Sequence, residues 1–294
     1  MISKFRIGVL VIILNFFASV AMIWGQDNPS LLQMAVPSLN IAPDARGGGM
    51  GDMGAATLPD INSQYWNAAK YAFMGSKAGV SLSYTPWLRK LVNDVALVNM
   101  TGYYKLGNSD LQAISASLRY FSLGEVNIWE NIGDVPYGLN PYEMAFDVAY
   151  SRKLSESYSM AVTLRYIRSD MGTDQNDESN AGNAFSADIS GYLEKYVLMG
   201  NAEALWSFGF NLSNIGSKIS YDGGNTNQYL PAKLTLGTGL LYPIDDYNQI
   251  GVYLDLNKYM VPYAPQKEEG ETDADYQTRV DDYKSWSSLS GMLK

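Results

Sequence analysis

Apolar and polar residues alternate along much of this chain. Ile114, Ala116, Leu118 and Tyr120 interleave with Ala113, Ser115, Ser117 and Arg119. Met144, Phe146, Val148 and Tyr150 interleave with Glu143, Ala145, Asp147 and Ala149. Tyr158, Met160, Val162, Leu164 and Tyr166 do the same against Ser159, Ala161, Thr163 and Arg165. A period of two predicts strands with two unlike faces. The polar face is mostly Ser, Thr, Gly, Asn and Ala with single charges of both signs, not the Lys- and Glu-rich face of a soluble sandwich. Segments of about ten such residues separated by turns are the pattern of a transmembrane β-barrel, with the apolar set toward lipid.

On this pattern we place strands at Ala78–Trp87, Asp94–Lys105, Leu111–Ser122, Tyr142–Lys153, Tyr158–Ser169, Ala184–Leu193, Leu205–Asn214, Lys233–Tyr242 and Gln249–Lys258. The second carries apolar residues on both faces. Further lipid-facing sets are Phe185, Ala187, Ile189; Trp206, Phe208, Phe210, Leu212; Leu234, Leu236, Leu240, Tyr242; and Ile250, Val252, Leu254, Leu256. Leu154–Ser157 and Pro243–Asn248 read as short turns, and Gly124–Pro141 and Met171–Asn183 as long polar loops. Val261–Lys294 does not alternate. Its Lys267–Lys284 stretch holds seven acidic and three basic residues. Thr272 could cap a short helix from Asp273, but a solvated loop is the reading we favour. Nine strands is odd for a single-chain barrel, and no aromatic strand closes the sequence. We therefore expect a truncated barrel, with C-terminal strands missing from this sequence.

The first residues add an address. Lys4 and Arg6 precede the apolar run Ile7–Phe17, followed by Ser19-Val20-Ala21 and Gly25 as alternative cleavage positions. This is the form of a secretory signal peptide. The domain reading is a signal at 1–25, a plug-like segment at 26–76 and barrel at 77–294. A mean hydropathy of −0.14 excludes a helical membrane protein but not a barrel. The 22 Tyr, 6 Trp and 9 Phe would furnish two aromatic belts. A net charge of −9 argues against a nucleic-acid partner.

Candidate chemistry is sparse. With no His and no Cys, nucleophile pairs that use them, His-ligated metals and disulfides are excluded. We expect no catalytic residues, no metal and no cofactor. Gly49-Met50-Gly51-Asp52-Met53-Gly54 formally fits a dinucleotide fingerprint. That motif needs a buried strand before it, which Ala42–Arg46 does not provide. Its glycines read instead as tight bends and close backbone approach. The charges Arg119, Glu143, Asp147, Arg165, Asp188, Lys233 and Asp255 fall on the polar face, where they could form a network holding a plug or line a polar path; we favour the network. Arg46 to Trp66 is expected inside the barrel mouth, with Tyr65 and Trp66 filling space and Asn67 bonding backbone.

One stretch carries a resemblance. Pro37–Asp44, then Ala45–Thr57, Asp60, and Tyr65-Trp66-Asn67-Ala68-Ala69 resemble the start of FadL-like outer-membrane proteins, and within them the PorV family of type IX secretion. The family often has Pro after Trp-Asn, where this chain has Ala68. The likeness runs from Pro37 to Tyr259. It implies an antiparallel, FadL-like barrel of about fourteen strands in the outer membrane of a Gram-negative bacterium, with Arg46, Gly49, Gly51, Gly54, Tyr65, Trp66 and Asn67 in a lumen segment. It also implies a non-catalytic role: binding secreted cargo by its C-terminal signal domain at the translocon and passing it to a surface attachment complex with a sortase-like partner. The competing readings are a FadL-type channel for hydrophobic small molecules and a purely structural barrel. Loops on a rigid barrel are where recognition usually resides. We therefore expect protein contacts at 124–141, 171–183, 221–229 and 261–294, with Trp129, Tyr137 and Tyr142 as aromatic anchors.

Overall fold

A computed structural model of the chain describes residues 32–292, apart from 88, 91, 93, 108–109, 130–134, 173–180, 201, 225 and 269. The expected signal peptide and both cleavage positions lie outside the described residues, as do parts of the 124–141 and 171–183 loops.

The fold is an antiparallel sheet of nine strands, each paired with its neighbour in the chain. They are β1 (Ala78–Pro86), β2 (Val95–Leu106), β3 (Gln112–Leu123), β6 (Tyr142–Lys153), β7 (Tyr158–Asp170), β8 (Gly182–Met199), β9 (Ala202–Gly216), β10 (Lys233–Pro243) and β11 (Gln249–Tyr259). A separate two-stranded ribbon, β4 (Val126–Ile128) and β5 (Tyr137–Leu139), rises from the β3–β6 loop. Each strand expected from the alternation is present. The main error is length: β8 and β9 run beyond Leu193 and start before Leu205. Their ends pair only with each other and bear the exposed Tyr196, Leu198 and Met199.

Register explains the alternation. Leu82, Met100, Leu118, Phe146, Tyr166 and Phe185 are successive cross-strand partners in one outer row. Thr101, Ser117, Asp147 and Arg165 form an inner row. Outer residues are exposed, such as Leu164 at 65%, while the inner row is buried, such as Thr163 at 2%. Burial of the polar set beside exposure of the apolar set inverts the order of a water-soluble protein. Ile114, Leu118, Phe146, Val148, Phe208 and Leu236 are all exposed on this outer face, and Met160 is half-buried there. The outer face also carries Tyr84, Tyr120, Tyr142 and Tyr166 toward one end and Tyr104, Tyr150, Tyr158 and Trp206 toward the other. Eight residues separate Tyr158 from Tyr166, about 27 Å along a strand.

The connections sort by length. The connections β2–β3, β6–β7, β8–β9 and β10–β11, of two to five residues each, all lie at one end. Residues 87–94, 124–141, 171–181, 217–232 and those after 259 leave from the other. Two of these long segments correct our reading. Residues 124–141 contain the β4–β5 ribbon, too short for its alternation to register. Residues 261–294, read as a solvated loop, include the thirteen-residue helix Asp273–Ser285, capped by Thr272 accepting from Asp275 N. Among the described residues no helix is long and apolar enough to cross a membrane.

Candidate functional site

The segment ahead of β1 is seated against the polar face of the sheet. It has little regular structure: the short helices α1 (Ala45–Gly49) and α2 (Ser63–Trp66) and two 3-10 turns, Pro37–Asn40 and Ala68–Phe73. It is held by side chains of the wall that bond its backbone. Glu143 of β6 accepts from Ser38 N at 3.0 Å. Arg119 of β3 donates to Ile41 O, and Ser83 of β1 to Pro43 O at 2.5 Å. Asp255 of β11 accepts from Gly54 N and Ala55 N at 2.8 and 3.0 Å. Ser207 of β9 donates to Ala56 O, and Ser159 of β7 to Ala69 O, each at 2.7 Å. Lys105 of β2 reaches Met74 O at 2.7 Å. In return Asn67 reaches Gly191 O of β8 at 2.9 Å. On β10, a Cβ at Gly237 would lie 2.9 Å from the Cβ of Ala55. One short segment thus touches all nine strands. Pro43, bonded to one edge strand, and Gly54, bonded to the other, are only eleven residues apart with α1 between them, a stretch that reaches about 30 Å at most, whereas a flat sheet of nine strands is about 40 Å across; the sheet therefore curls around the segment.

The expected plug residues have distinct parts. Trp66 is the hub. Its indole N–H donates to Asp44 at 2.8 Å, its carbonyl accepts from Asn211 of β9 at 3.0 Å, and its ring covers Gly47 and Gly54. A Cβ at either glycine would stand 2.3 Å from that ring. Gly54 is therefore required by close approach. Gly51 is required by its backbone, with φ at +77°. Gly49 has neither reason: a Cβ there meets nothing within 4 Å. Tyr65 stacks edge-on to Trp66 and lies under the Arg119 guanidinium, 4.6 Å from ring centre to Cζ. Asn67 is fully buried and bonds three backbone groups: Ala55 O, Gly191 O and Ala69 N. Arg46 pairs with Asp60 at 2.6 Å in a partly exposed position. α1 precedes the formal G-x-G-x-x-G match, where a nucleotide fold would need a strand.

Two features escaped sequence reasoning. Lys70 is fully buried and donates to Gly54 O at 2.8 Å and Thr57 Oγ1 at 3.1 Å. A lone charge in an Ala-rich turn was its only signal. Gly209 of β9 is the tightest seat, because a Cβ there would lie 1.9 Å from Ala55 O. Of the seven inward charges three form an ion-paired cluster, while Arg119, Glu143 and Asp255 bond the backbone of the plug instead. Arg165 bridges Asp147 at 2.6 Å and Asp188 at 2.9 Å, with all three side chains buried. A bulge at Ala187/Ile189 sets Asp188 where it also accepts from Asn214 N at 2.7 Å. Between plug and wall lies a cavity of about 30 Å³, lined by Asp52, Tyr65, Arg119, Asn211, Lys233 and Asp255 among others. That is room for a few water molecules. A wider cleft of about 780 Å³ separates Ala42–Asp52 from the end of β1, at the edge where that strand has no neighbour.

The expected protein-binding aromatics are spread out. Trp129 is exposed beyond β4, and Tyr137 begins β5. Tyr142 belongs to the outer wall, stacked on Tyr120 at 5.4 Å and accepting from Arg168 Nε at 3.1 Å. Near them Asp94 accepts from Glu125 N at 2.6 Å, tying the β1–β2 and β3–β6 loops together. In the β9–β10 loop, hydrogen bonds from Thr226 and Ser220 hold the Asp222 carboxyl down at about 2. In the same loop, burial beside Tyr283 pushes the Tyr229 phenol up to about 12.

No curated protein matches the chain. The family model described as type IX secretion system protein PorV matches residues 25–267. That span takes in the plug and all nine strands, and the chain belongs to the PorV family, an outer-membrane component of type IX secretion.

Proposed function

We propose that this protein is a carrier rather than a conduit. It binds secreted cargo through the cargo's C-terminal signal domain at the translocon and delivers it to a surface attachment complex with a sortase-like partner. The observation that carries this reading is the plug. It is bonded to strands across the whole sheet; the polar cavity behind it holds about 30 Å³ and the wider cleft of about 780 Å³ lies at the unpaired β1 edge, while the long loops gather at one end. A hydrophobic-molecule channel needs an apolar binding pocket along a continuous path. A carrier needs loops on a rigid support.

In this reading residues 26–76 form the plug and the sheet is part of a closed barrel of about fourteen strands. Unpaired edges such as those of β1 and β11 are not tolerated against lipid, so further strands join them. The long loops face the cell surface, and Trp129, Tyr137 and Tyr142 anchor protein partners from the β3–β6 side.

Affinity capture of the full-length protein from outer membranes tests the proposal. Secreted chains sharing a C-terminal domain are expected to co-purify. Deleting residues 124–140 is expected to leave the barrel inserted and cargo unprocessed or unattached. Normal cargo display with lost uptake of a fatty acid overturns the carrier reading in favour of the channel.

A further inference from the structure

We infer that the plug threads the barrel from end to end, so that Gln33 and Pro37, near its start, belong to the surface at the long-loop mouth. The contacts fall in order along the chain. Ala35 N donates to Tyr229 O in the long β9–β10 loop at 2.9 Å. Ser38 meets Glu143, the second residue of β6 after a long loop. Ile41 and Pro43 meet Arg119 and Ser83, further down their strands. Trp66 and Asn67 meet Asn211 and Gly191 at mid-wall. Ala69 meets Ser159, the second residue of β7 after a tight turn. Met74 meets Lys105, next to last in β2 before another short connection. Lys77 O then accepts from Lys105 N, and β1 begins at that same end.

The plug is therefore fastened at both mouths. At the tight-turn mouth it is continuous with β1. At the long-loop mouth Leu32 and Met34 pack among Tyr229, Ala232, Met260, Val261, Tyr283 and Met292, so the segment after β11 clasps it. Gln33 and Pro37 remain exposed there beside the loops. The surface at the long-loop mouth thus includes Gln33 and Pro37 of the plug.

This inference rests on the proposed orientation, with long loops outward, and the two separate by experiment. The chain has no cysteine, so single cysteines report cleanly to a membrane-impermeant maleimide on intact cells. Val135→Cys in a long loop and Tyr247→Cys in a tight turn report orientation; both positions are highly exposed, at 89% and 95%. Gln33→Cys and Gly75→Cys report threading, and a Cβ at Gly75 meets nothing within 4 Å. Gln33→Cys is expected to label as fully as Val135→Cys. Gly75→Cys is expected to stay silent with Tyr247→Cys until the outer membrane is permeabilised. Silence at Gln33 with labelling at Val135 overturns the threading. Silence at both, with Tyr247 labelled, overturns the orientation and leaves the threading standing. If Gln33→Cys fails to fold, Pro37→Cys reads the same mouth.

Discussion

Some glycines at the plug are required by their surroundings and others are not, and the two kinds predict opposite responses to substitution. Gly209 has no space for a side chain because Ala55 O occupies it. Gly209→Val should lift the 54–57 turn off the wall and cost about 1–3 kcal/mol as overpacking, read as faster proteolysis between Arg46 and Trp66. Gly48 lies within α1 and a Cβ there meets nothing. Gly48→Ala should leave proteolysis unchanged or slow it, since alanine gains up to about 1 kcal/mol over glycine in a helix. The glycine cluster was legible as special, but which glycine faces what was not. Gly209 and Ala55 are 154 positions apart, and no periodicity links them.

The strands are the most legible elements because each carries its own evidence. Exposed Leu164 and buried Thr163 are neighbours, and period two separates them without knowledge of any partner strand. β2 confused the pattern for a reason now visible. Leu97 and Tyr103 point inward, and Tyr103 stacks on Tyr71 of the plug at 4.9 Å. An inner face that meets protein tolerates apolar residues. The segment after β11 was less legible. Its helix Asp273–Ser285 has no buried residue of its own, and what anchors it is remote. The Tyr229 hydroxyl lies 3.3 and 3.2 Å from the carbonyls of Tyr283 and Trp286, and Lys218 sits over the Tyr229 ring while donating to Lys284 O. The neutral phenol is the bonded form, with its pKa raised from 10.0 to about 12. Its contribution is complete below pH 10 and lost as pH rises through about 12. The Asp273–Ser285 helix should therefore detach over that window, seen as a change in Trp286 fluorescence. In Tyr229→Phe the Tyr229-dependent part of that change should vanish.

At the scale of the whole molecule the inverted faces set the response to charge. Leu164 stands mid-strand on the outer face, so Leu164→Arg should destabilise the protein in bilayers by about 2–4 kcal/mol. Equilibrium unfolding from lipid vesicles measures this, and an effect under about 1 kcal/mol would contradict lipid exposure at that site. The outward face was readable from composition and period, and so was the class of protein. The path of the plug was not, because it is an irregular segment whose every fastening is long-range, up to the 201 residues between Gly54 and Asp255.

That path has a consequence for how the protein is made. In the closed barrel proposed above, a finished wall cannot readily be entered by a chain already joined to its first strand and clasped at the far mouth. Residues 32–77 precede every strand in the chain, and each strand in turn offers them a hydrogen bond or a glycine seat. The plug is thus placed to act as a mandrel: the wall winds on around it strand by strand. In that proposed barrel closure and filling become one event, and no empty, water-filled pore need exist at any stage of assembly.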